Sequence, residues 1–220
     1  MVFVDAALRE GVLYEMSDRL QHQDIRSHTV QSLIKRYAVD LPQAERVRHT
    51  ALTLLQLAQP GWQLADEWQQ ILGWVATLYE IGLQINSSSV QRHSAYILNN
   101  SNLPGFNQEQ QQLLACLVRF HRGKIKLEDF PDGYLYNLTD VTYALVLFRL
   151  AILLNQKRRD DVLPELQLEV APGQLALLLP ESWCQQHVVL AADILTEQQQ
   201  LKRLGFQLLC PAIVSDAEDH

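Results

Sequence analysis

The sequence is short of most of the features that announce an enzyme. Its nine glycines are scattered singly, so no glycine-rich loop can cradle a phosphate with backbone N–H groups, and the GxxxxGK pattern is missing. Neither a GxSxG elbow nor an HExxH helix occurs, which removes the common serine-hydrolase and zinc-protease arrangements. The three cysteines, Cys116, Cys184 and Cys210, are an odd number without CxxC spacing. They exclude a disulfide framework and a zinc knuckle and read as reduced core thiols. No apolar run approaches the roughly 20 residues that span a bilayer, and no basic-then-apolar leader opens the chain. No membrane insertion is expected, and a cytoplasmic location follows.

What is present is a large apolar share, 48% of 220 residues, with 20% charged residues and no polar low-complexity tract. Such a chain buries a sizeable core rather than staying disordered. The net charge of -7 sets up a field that repels polyanions at long range, so no generic nucleic-acid surface is expected, although a local basic groove remains compatible with it.

Periodicity predicts a mostly α fold. Val30, Leu33, Ile34 and Tyr37 share one helix face, and a second stripe of Val47, Ala51, Leu54, Leu55 and Ala58 runs from the Asp40 cap and Pro42 to Pro60-Gly61. Further helices are predicted from about 65 to 82 and from about 90 to 98. Asn107 with Gln110 forms a capping box before Leu113, Leu114, Leu117 and Val118. Thr139 precedes the apolar run Val141 to Leu154, which reads as a buried helix because it is too short for a membrane span and contains Arg149. After Leu163 the pattern changes to alternation. Leu166 to Val170, Pro172-Gly173 and Leu175 to Leu179 read as a hairpin, followed by a helix from Ser182 to Leu204 and a strand from Phe206 to Cys210. The expected organisation is an all-helical domain over 11–160 and a small α/β domain over 161–220, with Val2-Phe3-Val4 as a short strand lacking a neighbour to pair with.

Six stretches in order carry a resemblance: Ala7 to Glu15, Arg46-Val47, Leu78 to Leu83, His93 to Leu98, Leu103 to Phe106 and Leu117 to Arg122. They resemble the C-terminal region of bacterial exopolyphosphatases, in the family shared with guanosine pentaphosphate phosphohydrolases. The run from Phe120 to Pro131 is more similar to the exopolyphosphatase branch, which makes inorganic polyphosphate the implied substrate and guanosine pentaphosphate the alternative. The resemblance implies that catalysis belongs to an actin-like ATPase half absent from this sequence, of which residues 1–10 would be a remnant. Mg or another divalent metal would be held there, so this chain alone is expected to hold no metal and to be inactive.

The helical part resembles the HD phosphohydrolase fold, whose metal ligands are a histidine, a His-Asp pair and a later aspartate. Gln43, Tyr79-Glu80 and Arg149 stand at those positions, leaving Glu80 and His93 as the remaining ligand types, so the resemblance implies a vestigial site. It also implies a polyphosphate track, for which Arg119, His121, Arg122, Lys124 and Lys126 are the candidates, with Arg92 and His93 as secondary ones. The plain alternative is a solvated helix end, where cations are favoured by the dipole. A homodimer is the implied assembly, and a third reading makes the chain chiefly a dimerisation scaffold built on amphipathic helix faces.

Overall fold

The computed structural model describes residues 25–125, 130, 135–160 and 162–213. The expected Val2-Phe3-Val4 strand, Lys126 and residues 1–24 lie outside them. The three- and four-residue spacings fold as helices: α1 over 25–36, α2 (Leu41–Trp62), α3 (Glu67–Leu78), a 3-10 turn (Ile81–Gln84), α4 (Val90–Asn100), α5 (Gln108–Phe120) and α6 (Leu138–Leu154). Leu54, Leu72, Leu98, Leu117 and Leu147 are fully buried, so the stripes of five helices meet in one core.

The helix ends follow from side-chain chemistry. The Asp40 carboxylate accepts from the Gln43 N–H and opens α2, and Asn107 and Gln110 close a reciprocal capping box on α5. Helix α6 starts earlier than its apolar run suggests. Asn137, not Thr139, is its cap, with Oδ1 accepting from the Asp140 N–H at 2.8 Å. Helix α3 stops at Leu78 rather than continuing to residue 82, and the Gly82 N–H donates instead to Ser94 Oγ at 2.9 Å. Gly82 has no room for a side chain, because a Cβ would lie 2.5 Å from the Ser94 nitrogen and 2.8 Å from the Val90 carbonyl oxygen. That close approach seats α4 on the 3-10 turn.

After residue 160 the chain forms β1 (Gln167–Ala171), β2 (Gln174–Leu178), α7 (Glu181–Gln186), α8 (Val188–Lys202) and β3 (Gln207–Leu209). β1 and β2 are an antiparallel hairpin, and β3 pairs parallel to β2 with Leu175 opposite Leu208, the two being connected by α7 and α8. The fold is therefore mostly α with a small α/β end. The single helix expected from Ser182 to Leu204 is broken at His187, whose φ of -121° and ψ of 48° leave the helical region. The physical reason is local. The His187 ring lies on the Trp183 indole at 4.2 Å, and its Nδ1 bonds the Trp183 carbonyl, which a continuous helix would give to a backbone N–H.

The α/β end is bolted to the helices by aromatic rings. Trp62, the last residue of α2, stacks on Tyr143 of α6 at 4.0 Å and meets Phe206 edge-on at 5.9 Å. Its Nε1–H donates to the Ala171 carbonyl at the end of β1, and the Tyr143 hydroxyl accepts from the Gly173 N–H. The three cysteines are buried, and none forms a disulfide among the described residues.

Candidate functional site

Two groups of polar residues could carry function, and the first gathers where α2, α3 and the end of α6 converge. Gln43 is buried, and its Nε2 donates to the Asn155 carbonyl at 3.0 Å and to the Tyr79 hydroxyl at 3.4 Å. Arg46 Nε donates to Gln43 Oε1, and Arg46 Nη1 pairs with Asp160 at 2.8 Å. Arg158, in a left-handed turn with φ 51°, reaches Asp40 at 2.8 Å and Glu80 at 2.5 Å. Burial, reinforced by the neighbouring Glu80 carboxylate, pushes the Tyr79 hydroxyl well above its ordinary range, so it stays a neutral phenol.

This arrangement does not fit a metal centre. Its described carboxylates, Asp40, Glu80 and Asp160, are each already paired with a guanidinium. A second guanidinium, Arg46, stands beside Gln43, and a divalent ion would meet cations where it needs anionic ligands. Among the described residues no group of three His, Cys, Asp or Glu side chains could hold an ion. His93 sits on the first turn of α4 with its Cβ beside Gly82 and makes no bond to Glu80.

Arg149 does not join this corner. It is 3% exposed and faces the other way, pairing with Glu197 of α8 through Nε at 2.5 Å and Nη2 at 2.8 Å. Nη1 also donates to the Phe120 carbonyl and Nη2 to the Gly123 carbonyl, at and just beyond the end of α5. Sequence reasoning missed Glu197 altogether. Its signal was a carboxylate on the α8 stripe otherwise made of Leu190, Ile194 and Leu201.

The second group is the basic run that follows α5. Arg122 and Lys124 are exposed and Arg119 is half-buried, its guanidinium 5.3 Å from the Phe120 ring centroid. None of the three has an acidic partner among the described residues. His121 departs from the expected track, because it is buried under Tyr79 and Phe148 at ring separations of 5.3 and 6.0 Å. Burial pulls its pKa down to about 3, with Arg122 and Arg149 adding to the effect and the Val118 carbonyl bond opposing it. A neutral ring must donate through Nδ1–H to that carbonyl at 2.7 Å, so His121 offers an anion neither charge nor access. Arg92 and Arg119, by contrast, line one groove between α4 and α5.

The buried His121 makes the fold acid-sensitive. The unfolded chain takes up a proton near the ordinary histidine pKa of about 6.5 while the native state refuses it until about 3. Stability from this group is therefore complete above that ordinary value and is lost as pH falls below it, at about 1.4 kcal/mol per pH unit. Urea titrations between pH 7 and pH 5 should show a loss of about 2 kcal/mol from this residue, and a His121→Leu variant should show a flatter profile. An equally steep profile in that variant would assign the sensitivity to other groups.

Comparison with known proteins shows the family. The family model described as Ppx/GppA phosphatase, domain III, matches residues 25–198. The chain is similar to proteins named guanosine-5'-triphosphate,3'-diphosphate pyrophosphatase from three organisms. The Pseudoalteromonas translucida protein is 36% identical over 210 residues, 95% of this chain and 42% of that protein. The Aeromonas hydrophila protein is 34% identical over 94% of this chain and 42% of its own length. The Photobacterium profundum protein is 32% identical over 95% and 42%. The chain thus spans less than half the length of these curated relatives. Their names belong to the pentaphosphate branch, which the sequence reading ranked second.

Proposed function

The chain belongs to the Ppx/GppA phosphatase family, as its domain III, and from this membership we propose that it is a noncatalytic module that grips phosphate chains for a catalytic half located elsewhere in a longer protein. One observation carries the reading. In a chain of net charge -7, Arg119, Arg122 and Lys124 stand together at the end of α5 without acidic partners among the described residues. Clustered cations in an acidic molecule bind a polyanion with counterion release, and they need no cleavage chemistry to do so. The polar corner around Gln43 and Glu80 supports the noncatalytic part, since its groups are spent on one another.

In the full protein the reaction would be removal of a terminal phosphate by water, with Mg or another divalent metal in the catalytic half. The names of the relatives favour guanosine pentaphosphate as substrate. Inorganic polyphosphate is the second reading, favoured by the spread of cations from Arg119 to Lys126 along the chain. A homodimer would join two such basic ends into a longer track.

Replacing Arg122, Lys124 and Lys126 together with alanine tests the grip. Affinity for long polyphosphate should fall, and the slope of log affinity against log salt should drop by about 2 for the three lost cations. Unchanged affinity and slope would remove the proposal. Robust phosphate release by the chain alone, in Mg, would contradict its noncatalytic half.

A further inference from the structure

Arg149 joins two parts of the molecule that the chain keeps far apart. It lies within α6, 3% exposed, and its guanidinium is shared between Glu197 of α8 and the backbone that follows α5. Nε and Nη2 hold the Glu197 carboxylate at 2.5 and 2.8 Å. Nη1 donates to the Phe120 carbonyl, and Nη2 donates to the Gly123 carbonyl at 3.1 Å, so the two carbonyls bracket His121 and Arg122. A guanidinium is a rigid planar fork, and fixing one edge on a carboxylate fixes where its other N–H groups point.

The stretch is anchored on both sides of its exposed cations. Phe120 and His121 are buried, with the His121 ring tied to the Val118 carbonyl at 2.7 Å, and Ile125 packs against the core. Gly123 turns the chain with a φ of 76°. A Cβ there would meet no atom within 4 Å, so this glycine serves the turn and not a close contact. With the Phe120 and Gly123 carbonyls drawn to Arg149, the side chains of Arg122 and Lys124 are left exposed. As a means of joining α6 to α8 alone the ion pair is unnecessary, because apolar residues of similar size often serve as well. An apolar pair could not hold two carbonyl oxygens of the neighbouring segment.

We propose that Arg149 and Glu197 are positioning residues for the basic run: through them α8 sets the directions of Arg122 and Lys124, and with them the strength of the grip on a phosphate chain. The inference rests on the reading of the basic run as a phosphate grip and adds what controls it. Both residues are buried and act through the backbone of 120–123 without touching the ligand. Helix α8 leads into β3, which pairs with β2, so a shift of the α/β end against the helices reaches the basic run through one carboxylate. Cations whose backbone is already fixed lose less conformational freedom when they meet successive phosphates.

The test is the double variant Arg149→Met with Glu197→Leu in the 220-residue chain. It removes one charge of each sign, leaves the net charge at -7 and keeps every cation of the basic run, so long-range electrostatics cannot account for a change in binding. Affinity for long-chain inorganic polyphosphate, measured well below the unfolding temperature, should fall roughly fivefold, a usual scale for residues that act on a site without touching its ligand. Trp62→Phe, which loosens the α/β end at a different joint, should bind like the parent chain. Parent-like affinity in the folded double variant, or an equal loss in Trp62→Phe, would overturn the positioning role. Should the double variant not fold, Glu197→Gln decides by the same measurement: it keeps the shape and removes the charge, and parent-like affinity there overturns the role while a loss supports it. Failure of the grip itself shows separately, as parent-like binding after the joint loss of Arg122, Lys124 and Lys126.

Discussion

Arg149→Ala should lower the unfolding free energy of the chain by about 3–5 kcal/mol, the range for breaking a buried ion pair by removing one partner. The residue lies in the middle of α6 and is 3% exposed, and its partner Glu197 is 7% exposed. Alanine would leave that carboxylate buried without a counter-charge and would strip a donor from the Phe120 and Gly123 carbonyls. Arg149→Lys should recover little, because an ammonium cannot replace a fork whose N–H groups satisfy a carboxylate and two carbonyls together. Pairing Arg149→Met with Glu197→Leu should restore much of the loss, since buried ion pairs are often replaceable by apolar residues of similar size. Urea unfolding of the two single variants and the double variant measures the coupling. A single-variant loss under about 1 kcal/mol would mean that water reaches this pair.

A comparable loss is expected at the aromatic joint. Trp62→Ala removes a large buried ring that contacts Tyr143 and Phe206, and such truncations cost about 3–5 kcal/mol. Two further consequences separate this variant from an ordinary core deletion. The Ala171 carbonyl loses its indole donor, and Tyr143 loses the ring that holds its hydroxyl toward the Gly173 N–H. Amide exchange should therefore accelerate most over β1 and β2, with α3 and α5 less affected. Trp62→Phe should keep part of the stacking and lose the Ala171 bond. Uniform acceleration across the whole chain would show that the hairpin is not docked chiefly through Trp62.

The helical architecture was legible because its signals are local. Spacings of three and four residues, the Asn107–Gln110 box and the Pro172-Gly173 turn all act within a few residues of themselves. Errors arose where a bond between distant residues or a side-chain conformation decided the outcome, as at His187 and at Gly82. His121 teaches a different lesson. It follows Leu114, Leu117 and Val118 at i, i+3, i+4 and i+7, so it extends the buried stripe of α5, and that period was visible in the sequence. The surrounding charges of Arg119, Arg122 and Lys124 drew it into the basic run instead. Arg149 and Glu197 were each readable as charges on apolar stripes, but 48 residues separate them, and no local pattern pairs them. The groove needed the fold, because Arg92 and Arg119 become neighbours only when α4 turns back on α5.

Arg158 touches Asp40 before α2 and Glu80 after α3 while itself lying beyond α6. A single guanidinium therefore answers two carboxylates that come from different helix ends. Take it away and both acids lose the cation that they share. Three segments that meet nowhere else in sequence thus share one counter-charge, and a single substitution would release all of them together.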